Sequence, residues 1–593
     1  MRVMRYLMRH KAALVAVFAL LLLMAFCELS LPTYTAAIVD NVVAMAAVGS
    51  GGDSVSELAR LGAFMLLFAM GMAACNAGIG LIASVTGARI ARDLRARLYE
   101  KVMAFSPAEV ESFSAASLIT RGTNDVQQMQ MVSIMMLRVV LYAPILAVGG
   151  IFMVVQTNAS MGWVIALAVV AVFVVVAALM TLTMPKFKIM QSLVDKLNLV
   201  SREMLTGISV VRAFGRQGLE QERFDKASRE LMETQLFTMR AMVTMMPALS
   251  LVMNLVSVGI VWVGGHYIAQ GSMQTGDLIA FITYAMVIIM SFLMIGMVSV
   301  MLPRAEVAAE RIEEVLATEP SVVDPPSPRD EELRALAARG EGLEIAFEDV
   351  SFAYGQGSEP VLDHVSFAAE PGKTTAVIGS TGSGKSTVIK LIERFYDVQG
   401  GAVTVGGIDV RELSQECLRS VLGYSPQQAF LFSGTVAGNV GYADPQMPRE
   451  RMEAAVETAQ AHEFVEQLPE GLDAAVSQGG SNVSGGQRQR LSIARALAAD
   501  AQAYLFDDSF SALDYKTDAL LREGLERRMQ GKTLLIVAQR IATIMHADRI
   551  VVLEEGRVAG VGTHAELMER CPEYAQIALS QLSPAELEKG GAR

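Results

Sequence analysis

Six long apolar segments dominate the first half of this chain. Each has about 20 residues or more, which is the length of helix needed to cross a bilayer core of about 30 Å. Only a helix or a closed barrel pairs every backbone amide where water is absent. The six segments are residues 12–31, 61–85, 133–155, 161–184, 245–268 and 278–302. They predict an all-α transmembrane domain with six spans.

The loops between these segments predict the orientation. Residues 33–59, 156–160 and 269–277 contain no Lys or Arg, whereas the opposite connections, 86–132 and 185–244, are basic and predicted to be helical. Basic loops stay on the cytoplasmic side of a membrane. We therefore expect a multi-pass protein of the cell membrane with both termini and the second half in the cytoplasm. The first span is expected to be uncleaved, because no small-residue cleavage site follows it.

Four polar side chains lie inside the predicted spans, where they are costly unless they face a partner helix or a cavity. For Asn76, Asn254 and His266, the ordinary explanation is an interhelical hydrogen bond or an interface position. Glu28 is the better candidate for an acid that faces a cavity, although its role stays open.

The second half differs in composition and charge. Residues 1–320 contain 24 Lys or Arg and 22 Asp or Glu, whereas the remainder contains 25 and 39. An acidic soluble domain does not favour nucleic acid as a partner. Residues 318–342, rich in Pro, Gly and charge, predict a linker between a transmembrane domain over 1–317 and a second domain over 343–593. Short β-branched runs alternate there with helical stretches, which predicts a mostly parallel α/β domain.

Residues 379–387, GSTGSGKST, form a phosphate-binding loop of the pattern G-x-x-x-x-G-K-[ST] between a predicted strand and a helix. Its glycines let backbone N–H groups converge on phosphate oxygens, and the helix N-terminus adds a positive dipole end. Lys385 is expected to reach the β and γ phosphates, and Ser386 to ligate Mg²⁺. Asp507, at the end of an apolar strand, is expected to hold the same ion. The predicted loop ligands of ATP are Thr381, Gly382, Ser383, Gly384, Lys385, Ser386 and Thr387.

Two further motifs, GYSPQQAFLF at 423–432 and VSGGQRQR at 483–490, complete an ordered set. With them the chain resembles a half-transporter of the ATP-binding cassette (ABC) superfamily, of the exporter type, over nearly its whole length. The resemblance implies that Tyr354 stacks on adenine and that Gln427 senses Mg²⁺. It also implies head-to-tail pairs of cassettes, in which one chain's signature motif binds the other chain's ATP. The predicted residues in trans are Ser484, Gly485, Gly486 and Gln487.

Two positions depart from the family pattern in one site. Asp508 stands where the family usually has a catalytic Glu, and Gln539 stands where it has a switch His. The shorter carboxylate withdraws by about 1.5 Å, and misplacement of that order can cost ~100-fold in rate. Gln can donate a hydrogen bond but cannot carry a proton. The pattern is similar to that of degenerate-site subunits of bacterial heterodimeric multidrug exporters.

These observations lead to one functional hypothesis. The chain is expected to be one half of a heterodimeric, ATP-driven exporter of apolar or amphipathic small molecules, surrounded by membrane lipid and weakly hydrolytic at its own site. A homodimeric exporter with slow ATPase stays open as an alternative, as do an importer of a chelate such as a siderophore and an ATP-gated regulator that transports nothing. The sequence identifies neither the cargo nor the partner.

Overall fold

The computed structural model describes residues 2–48, 52–355 and 357–582. These form two compact units. One unit comprises Met1–Lys101 and Ala116–Thr318, and the other comprises Val102–Ala115 and Glu319–Arg593. The predicted domain limits left residues 102–115 with the membrane half, whereas the structure groups this segment with the second unit.

The first half of the chain is helical almost throughout, which confirms the predicted all-α character. Short 3₁₀ turns cover Met8–His10 and Ala159–Met161, and π-helical turns cover Arg121–Asp125 and Met136–Val140. The helices are α1 (Arg2–Leu7), α2 (Lys11–Val48), α3 (Gly52–Met103), α4 (Pro107–Phe113), α5 (Ala115–Thr120), α6 (Val126–Met135), α7 (Tyr142–Asn158), α8 (Gly162–Thr206), α9 (Ile208–Ala213), α10 (Gln217–Ala269) and α11 (Thr275–Ala317).

Several helical runs are long and apolar enough to cross a membrane. Within the described residues there are five of them: Met4–Ala46, Val55–Met103, Ala115–Thr206, Gln217–Ala269 and Thr275–Ile295. The third run has 92 residues and contains two predicted spans, 133–155 and 161–184. A single straight helix of this length would extend about 140 Å. The run is not one straight helix, because the backbone at Asn158 is extended (φ −162°, ψ 100°). Six spans and their orientation stay predictions.

The connections predicted to be helical continue helices that are much longer than a membrane span. Helices α8 and α10 have 45 and 53 residues, which at 1.5 Å per residue far exceeds a 30 Å bilayer core. Ion pairs tie their polar extensions together, Lys196 to Glu230 at 2.7 Å and Arg223 to Glu203 at 3.2 Å. The short helix α9 lies between them in the chain.

The polar groups inside the spans have hydrogen-bond partners of two kinds. Asn254 Nδ2 donates to Ser250 O at 2.8 Å, and His266 Nδ1 lies 2.9 Å from Trp262 O. Both therefore bond the carbonyl one turn earlier in their own helix, and an interface position for these side chains stays a prediction. Asn76 does bond across helices, to Arg138.

The second unit is an α/β domain with two main sheets. One is antiparallel, in the order β2-β1-β4-β5, and the other has the order β12-β11-β3-β10-β9-β6, parallel except for β12. The strands are β1 (Ile345–Phe352), β2 (Leu362–Ala369), β3 (Thr374–Gly379), β4 (Gly400–Val405), β5 (Ile408–Asp409), β6 (Leu422–Ser425), β7 (Gly434–Thr435), β8 (Ala475–Val476), β9 (Ala503–Asp507), β10 (Thr533–Val537), β11 (Arg549–Glu554) and β12 (Arg557–Gly562). Strands β9 and β10 are buried along their whole length, as in a sheet covered on both faces.

Helices cover both faces of the parallel sheet, as the alternating sequence pattern predicts. They are α12 (Asp330–Ala337), α13 (Lys385–Ile392), α14 (Gln415–Ser420), α15 (Val436–Val440), α16 (Arg449–Thr458), α17 (His462–Glu466), α18 (Gly485–Ala498), α19 (Tyr515–Arg528), α20 (Ile541–Ile544), α21 (His564–Arg570) and α22 (Pro572–Gln581). Helix α4 joins this unit through Glu109, whose Oε1 accepts a hydrogen bond from the Ser321 backbone N–H at 3.2 Å.

A buried carboxyl group follows α13 in this unit. Glu393 is 4% exposed, and its Oε1 has no hydrogen-bond partner among the described residues. Burial raises the pKa of Glu393 from 4.5 to about 7, against an opposing effect of Arg419. The native state therefore binds this proton more tightly than the unfolded chain does. The free energy of unfolding should then fall as the pH rises from about 4.5 to about 7, and level off above that.

We expect Glu393→Gln to raise the melting temperature of the solubilised full chain at pH 8 but not at pH 4.5, because a neutral amide avoids the cost of a buried charge. The expected gain at pH 8 is about 1–3 kcal/mol. Thermal unfolding at both pH values measures it. Glu416→Gln, on the exposed face of α14, is the matched control. A lower melting temperature at both pH values would show that the carboxyl makes a contact that the amide cannot replace.

Candidate nucleotide-binding site

Three predicted motifs follow strands that end at one edge of the parallel sheet. Strand β10 lies between β3 and β9, with Val537 opposite Val377 on one side and Asp507 on the other. The phosphate loop follows β3, Asp507 ends β9, and Gln539 lies two residues after β10. Because carboxyl ends of parallel strands meet at one edge, this is where α/β sheets bind ligands.

The phosphate loop has the backbone of an anion cradle. Gly382 and Gly384 have φ angles of +87° and +94°, which residues with a Cβ rarely adopt. Gly384 is also the N-cap of α13 and brings no side chain to that helix end. The first N–H groups of α13 are thus directed at the loop, where the helix dipole favours negative charge. Thr381 lies exposed at the tip, and Ser383 is buried.

Lys385 holds a buried positive charge within this loop. Its Nζ donates to Gly379 O at 3.0 Å and to Ser380 O at 2.6 Å. Burial lowers the pKa of Lys385, and the nearby carboxylates of Asp508 and Asp507 oppose this shift. An ammonium surrounded by converging N–H groups fits a nucleotide's phosphates.

Oxygen ligands that suit Mg²⁺ adjoin the loop. Ser386 Oγ donates to Asp507 Oδ1 at 2.9 Å. Burial and then the charge of Asp508 raise the pKa of Asp507, while the Ser386 hydrogen bond lowers it. A divalent cation prefers such hydroxyl and carboxylate oxygens and would offset the repulsion of two neighbouring carboxylates. Ser386 and Asp507 are therefore the residues that fit the ion.

Asp508 is buried among residues of its own chain. It is 7% exposed and adopts a left-handed φ of 46°, which Asp tolerates better than most residues. Ser511 Oγ donates to its backbone carbonyl at 2.8 Å, and the side chain of Gln427 and the backbone of Gln539 lie near its carboxylate. Burial raises the pKa of Asp508 against the opposing effect of these neighbours. The structure thus brings Asp508, Gln427 and Gln539 together, while the Gln539 side chain stays exposed.

Tyr354 lies beside the helix that follows the phosphate loop. Its hydroxyl and Thr387 Oγ1 are 2.9 Å apart. Lys390 Nζ lies 5.2 Å from the centre of the Tyr354 ring, and Tyr396 contacts the ring edge-on at 5.1 Å. The ring is 43% exposed, so it retains surface on which a base could stack.

The signature motif begins α18 and does not reach its own phosphate loop. Ser484 is the N-cap, and its side chain and that of Gln487 bond each other's backbone N–H groups. A Cβ added at Gly486 would lie 3.4 Å from Ala512 O, in the loop after Asp508. Within the described residues, no hydrogen bond joins this motif to residues 379–387, so its role in trans stays a prediction.

Sequence reasoning missed a charged residue in the membrane half. Arg138 lies in the predicted span 133–155, within a π-helical turn. One turn later, the Tyr142 hydroxyl donates to Glu28 Oε2. The signal was present, because a lone charge inside an apolar segment is rare and marks a functional candidate.

Known proteins share the whole of this architecture. Residues 14–292 match the ABC transporter transmembrane region, and residues 362–511 match the ABC transporter domain. An uncharacterised ABC transporter ATP-binding protein of Mycobacterium tuberculosis is 41% identical over 98% of this chain and 97% of its own length. An ATP-dependent lipid A-core flippase of Desulfotalea psychrophila is 32% identical over 83% of this chain and 85% of its own.

Two further proteins extend the comparison. A multidrug efflux ATP-binding/permease protein of M. tuberculosis is 32% identical over 98% of this chain but only 47% of its own length. A solved bacterial Atm1-family ABC exporter with ATP bound superposes with a TM-score of 0.78 at 24% identity, over 97% of this chain and 99% of that one. The last likeness shows a shared fold.

Proposed function

Because this chain belongs to the ABC transporter family, an ATP-driven and exporter-like family that works as dimers with ATP and Mg²⁺, we propose that it is the weakly hydrolytic half of a heterodimeric exporter. Its own phosphate loop binds MgATP through Lys385, Ser386 and Asp507. Its signature motif completes a second, faster site on a different half-transporter. ATP hydrolysis at that second site resets the transporter.

The contacts of Asp508 carry this proposal. A general base must lie within hydrogen-bond reach of the water that it activates. The Asp508 side chain is one methylene shorter than that of Glu, it is 7% exposed, and Gln427 and the Gln539 backbone lie beside its carboxylate. The Gln539 side chain cannot exchange a proton. Both features slow hydrolysis while leaving the phosphate-binding residues in place.

The signature motif supports the other half of the proposal. A helix N-terminus is a ready anion site, and Ser484 and Gln487 fix the start of α18 through a reciprocal capping box. Gly485 is exposed, and a Cβ at this position would meet nothing within 4 Å in its own chain. An exposed anion site of this kind suits a phosphate presented by another subunit.

The membrane half supports export of apolar or amphipathic molecules. Two relatives are named as a lipid A-core flippase and a multidrug efflux protein. Closure of two cassettes on ATP would draw the long helices α8 and α10 of each half together and turn the membrane cavity outward. The basic connections support a cytoplasmic location of the cassettes, because basic loops stay on that side of a membrane.

ATPase activity of the chain alone tests the proposal against a homodimer. We expect the purified chain in nanodiscs to hydrolyse ATP at least about 100-fold more slowly than the complex purified with its partner, because both sites of a homodimer would lack the Glu and the His. Inside-out vesicles containing the complex should accumulate a fluorescent amphipathic dye when ATP is added. Rapid hydrolysis by the chain alone would contradict the heterodimer, and ATP-driven loss of dye from the vesicles would contradict export.

A further inference from the structure

The membrane half contains a cavity of about 610 Å³, a size typical of small-molecule sites. Helices α2, α3, α6, α7 and α11 and the π-helical turn Met136–Val140 form its wall. The wall is rich in methionine, whose flexible thioether side chain adapts to varied apolar shapes. The methionines are Met24, Met131, Met135, Met294 and Met301.

Arg138 gives this wall a positive charge. Its Nη2 donates to Asn76 Oδ1 over a long 3.4 Å, and Asn76 also lines the cavity. In the part of the chain that the structure describes, no carboxylate lies within 4 Å of the Arg138 guanidinium. A guanidinium has five N–H donors, so one weak bond to a neutral amide leaves donors for a ligand. A cation without a counter-ion is costly in lipid, and an anion would offset that cost.

The Arg138 side chain is directed towards the cavity and not along the helix to the membrane surface. Arginines near a helix end often extend to the interface. Asn76, however, lies nine residues inside the predicted span 61–85, or about 14 Å from its cytoplasmic end at 1.5 Å per residue. A guanidinium bonded to Asn76 is therefore held at depth.

Glu28 does not neutralise this charge by direct contact. Its Oε2 accepts the single hydroxyl proton of Tyr142, which lies one turn from Arg138. Tyr142 lines the cavity, whereas Glu28 is not among the residues that do. The cavity thus presents a tyrosine ring, an amide and a guanidinium together with the methionines.

We propose that this cavity binds amphipathic anions. Arg138 takes a phosphate, sulfate or carboxylate head group through two parallel N–H···O bonds, and the methionines hold the alkyl part. The inference deepens the proposed transport function by naming the class of cargo. It does not depend on which subunit hydrolyses ATP.

Photolabelling without nucleotide tests this assignment. The full chain in nanodiscs of neutral lipid is labelled with a diazirine-bearing dodecyl phosphate, and the labelled peptides are mapped by mass spectrometry. We expect labelling of α6 that dodecyl phosphate suppresses and that inorganic phosphate does not. Arg138→Gln should weaken the competition by dodecyl phosphate about tenfold or more, because a charged hydrogen bond is lost. Arg138→Lys should give a smaller loss, since Lys keeps the charge without the planar fork.

Control variants separate this proposal from its rivals. Arg229→Gln removes an exposed positive charge on α10 and should leave labelling unchanged. Equal competition in wild type and in both Arg138 variants would overturn the proposal, as would suppression by inorganic phosphate at the same concentration as dodecyl phosphate. Suppression by dodecyltrimethylammonium that Glu28→Gln abolishes would also overturn it, because the cavity would then select cations. Each outcome is read without ATP and leaves the heterodimer proposal to its own test.

Discussion

Gly485→Asp in this chain is expected to reduce ATP turnover of the assembled heterodimer by about 100-fold or more. Gly485 is the first residue of α18, where the helix dipole and backbone N–H groups favour an anion. A carboxylate there would repel the γ-phosphate of ATP held by the partner. Loss of one preorganised donor in a reacting site costs about 10²–10³ in rate, and a repelling charge should cost no less. Steady-state ATPase of the reconstituted complex measures the effect.

The structure indicates that this variant will still fold. A Cβ at Gly485 meets nothing within 4 Å, and the backbone there is not left-handed. The loss of ATP turnover should therefore arise from repulsion of the neighbouring subunit's ATP and not from misfolding. Ser580→Asp, on the exposed side of α22, adds the same charge far along the chain and should leave turnover unchanged.

Lys385→Ala changes this chain's own phosphate loop and serves as the comparison for Gly485→Asp. It weakens ATP binding at the slow site, so we expect turnover to fall by less than about tenfold. If Lys385→Ala costs as much as Gly485→Asp, both sites hydrolyse and the proposed asymmetry is wrong.

Local patterns allowed the cassette site to be predicted. Gly382 and Gly384 belong to one short loop whose glycines already imply left-handed backbone, and Asp507 ends a strand recognisable from its apolar run. The meeting of these segments follows from a parallel sheet, in which strands end at a common edge. Ser386 could therefore be expected near Asp507 although 121 residues separate them in the chain.

The contacts that depend on side-chain reach could not be predicted. Nothing in the sequence near Gln427 shows that its side chain lies beside Asp508, because that proximity depends on how a loop folds over the sheet edge. For Asn254 and His266 the sequence left open an interhelical hydrogen bond or an interface position, and each bonds a carbonyl of its own helix. A hydropathy pattern identifies a polar group within a predicted span but not which of several acceptors lies nearest.

In the membrane half, too, the contacts of individual side chains could not be predicted from the sequence. The π-helical turn Met136–Val140 has no distinctive sequence pattern, yet it carries Arg138 in the wall of a cavity. Helix α4 is another case, because its grouping with the second unit depends on long-range contacts such as Glu109 to Ser321. Apolar length alone predicts a span and says little about what lines the space between spans.

Asp508→Glu combined with Gln539→His should raise single-turnover hydrolysis by the isolated chain about 100-fold. The longer side chain moves the carboxylate about 1.5 Å towards the nucleotide, and a displacement of that order can change the rate about 100-fold. Glu is less suited than Asp to the φ of 46°, so the melting temperature of the double variant should fall slightly.

The introduced imidazole provides a second readout for the double variant. Histidine titrates near pH 6.5, so the hydrolysis rate of the double variant should depend on pH between about 6 and 7, whereas the rate of the wild type should not. Asp508→Asn with Gln539→His is the matched control, because it supplies the imidazole without a carboxylate, and it should stay slow. If the double variant gains neither rate nor pH dependence although it is folded, the slow step lies elsewhere than in these two side chains. In that case the assignment of Asp508 and Gln539 as the cause of weak hydrolysis is wrong.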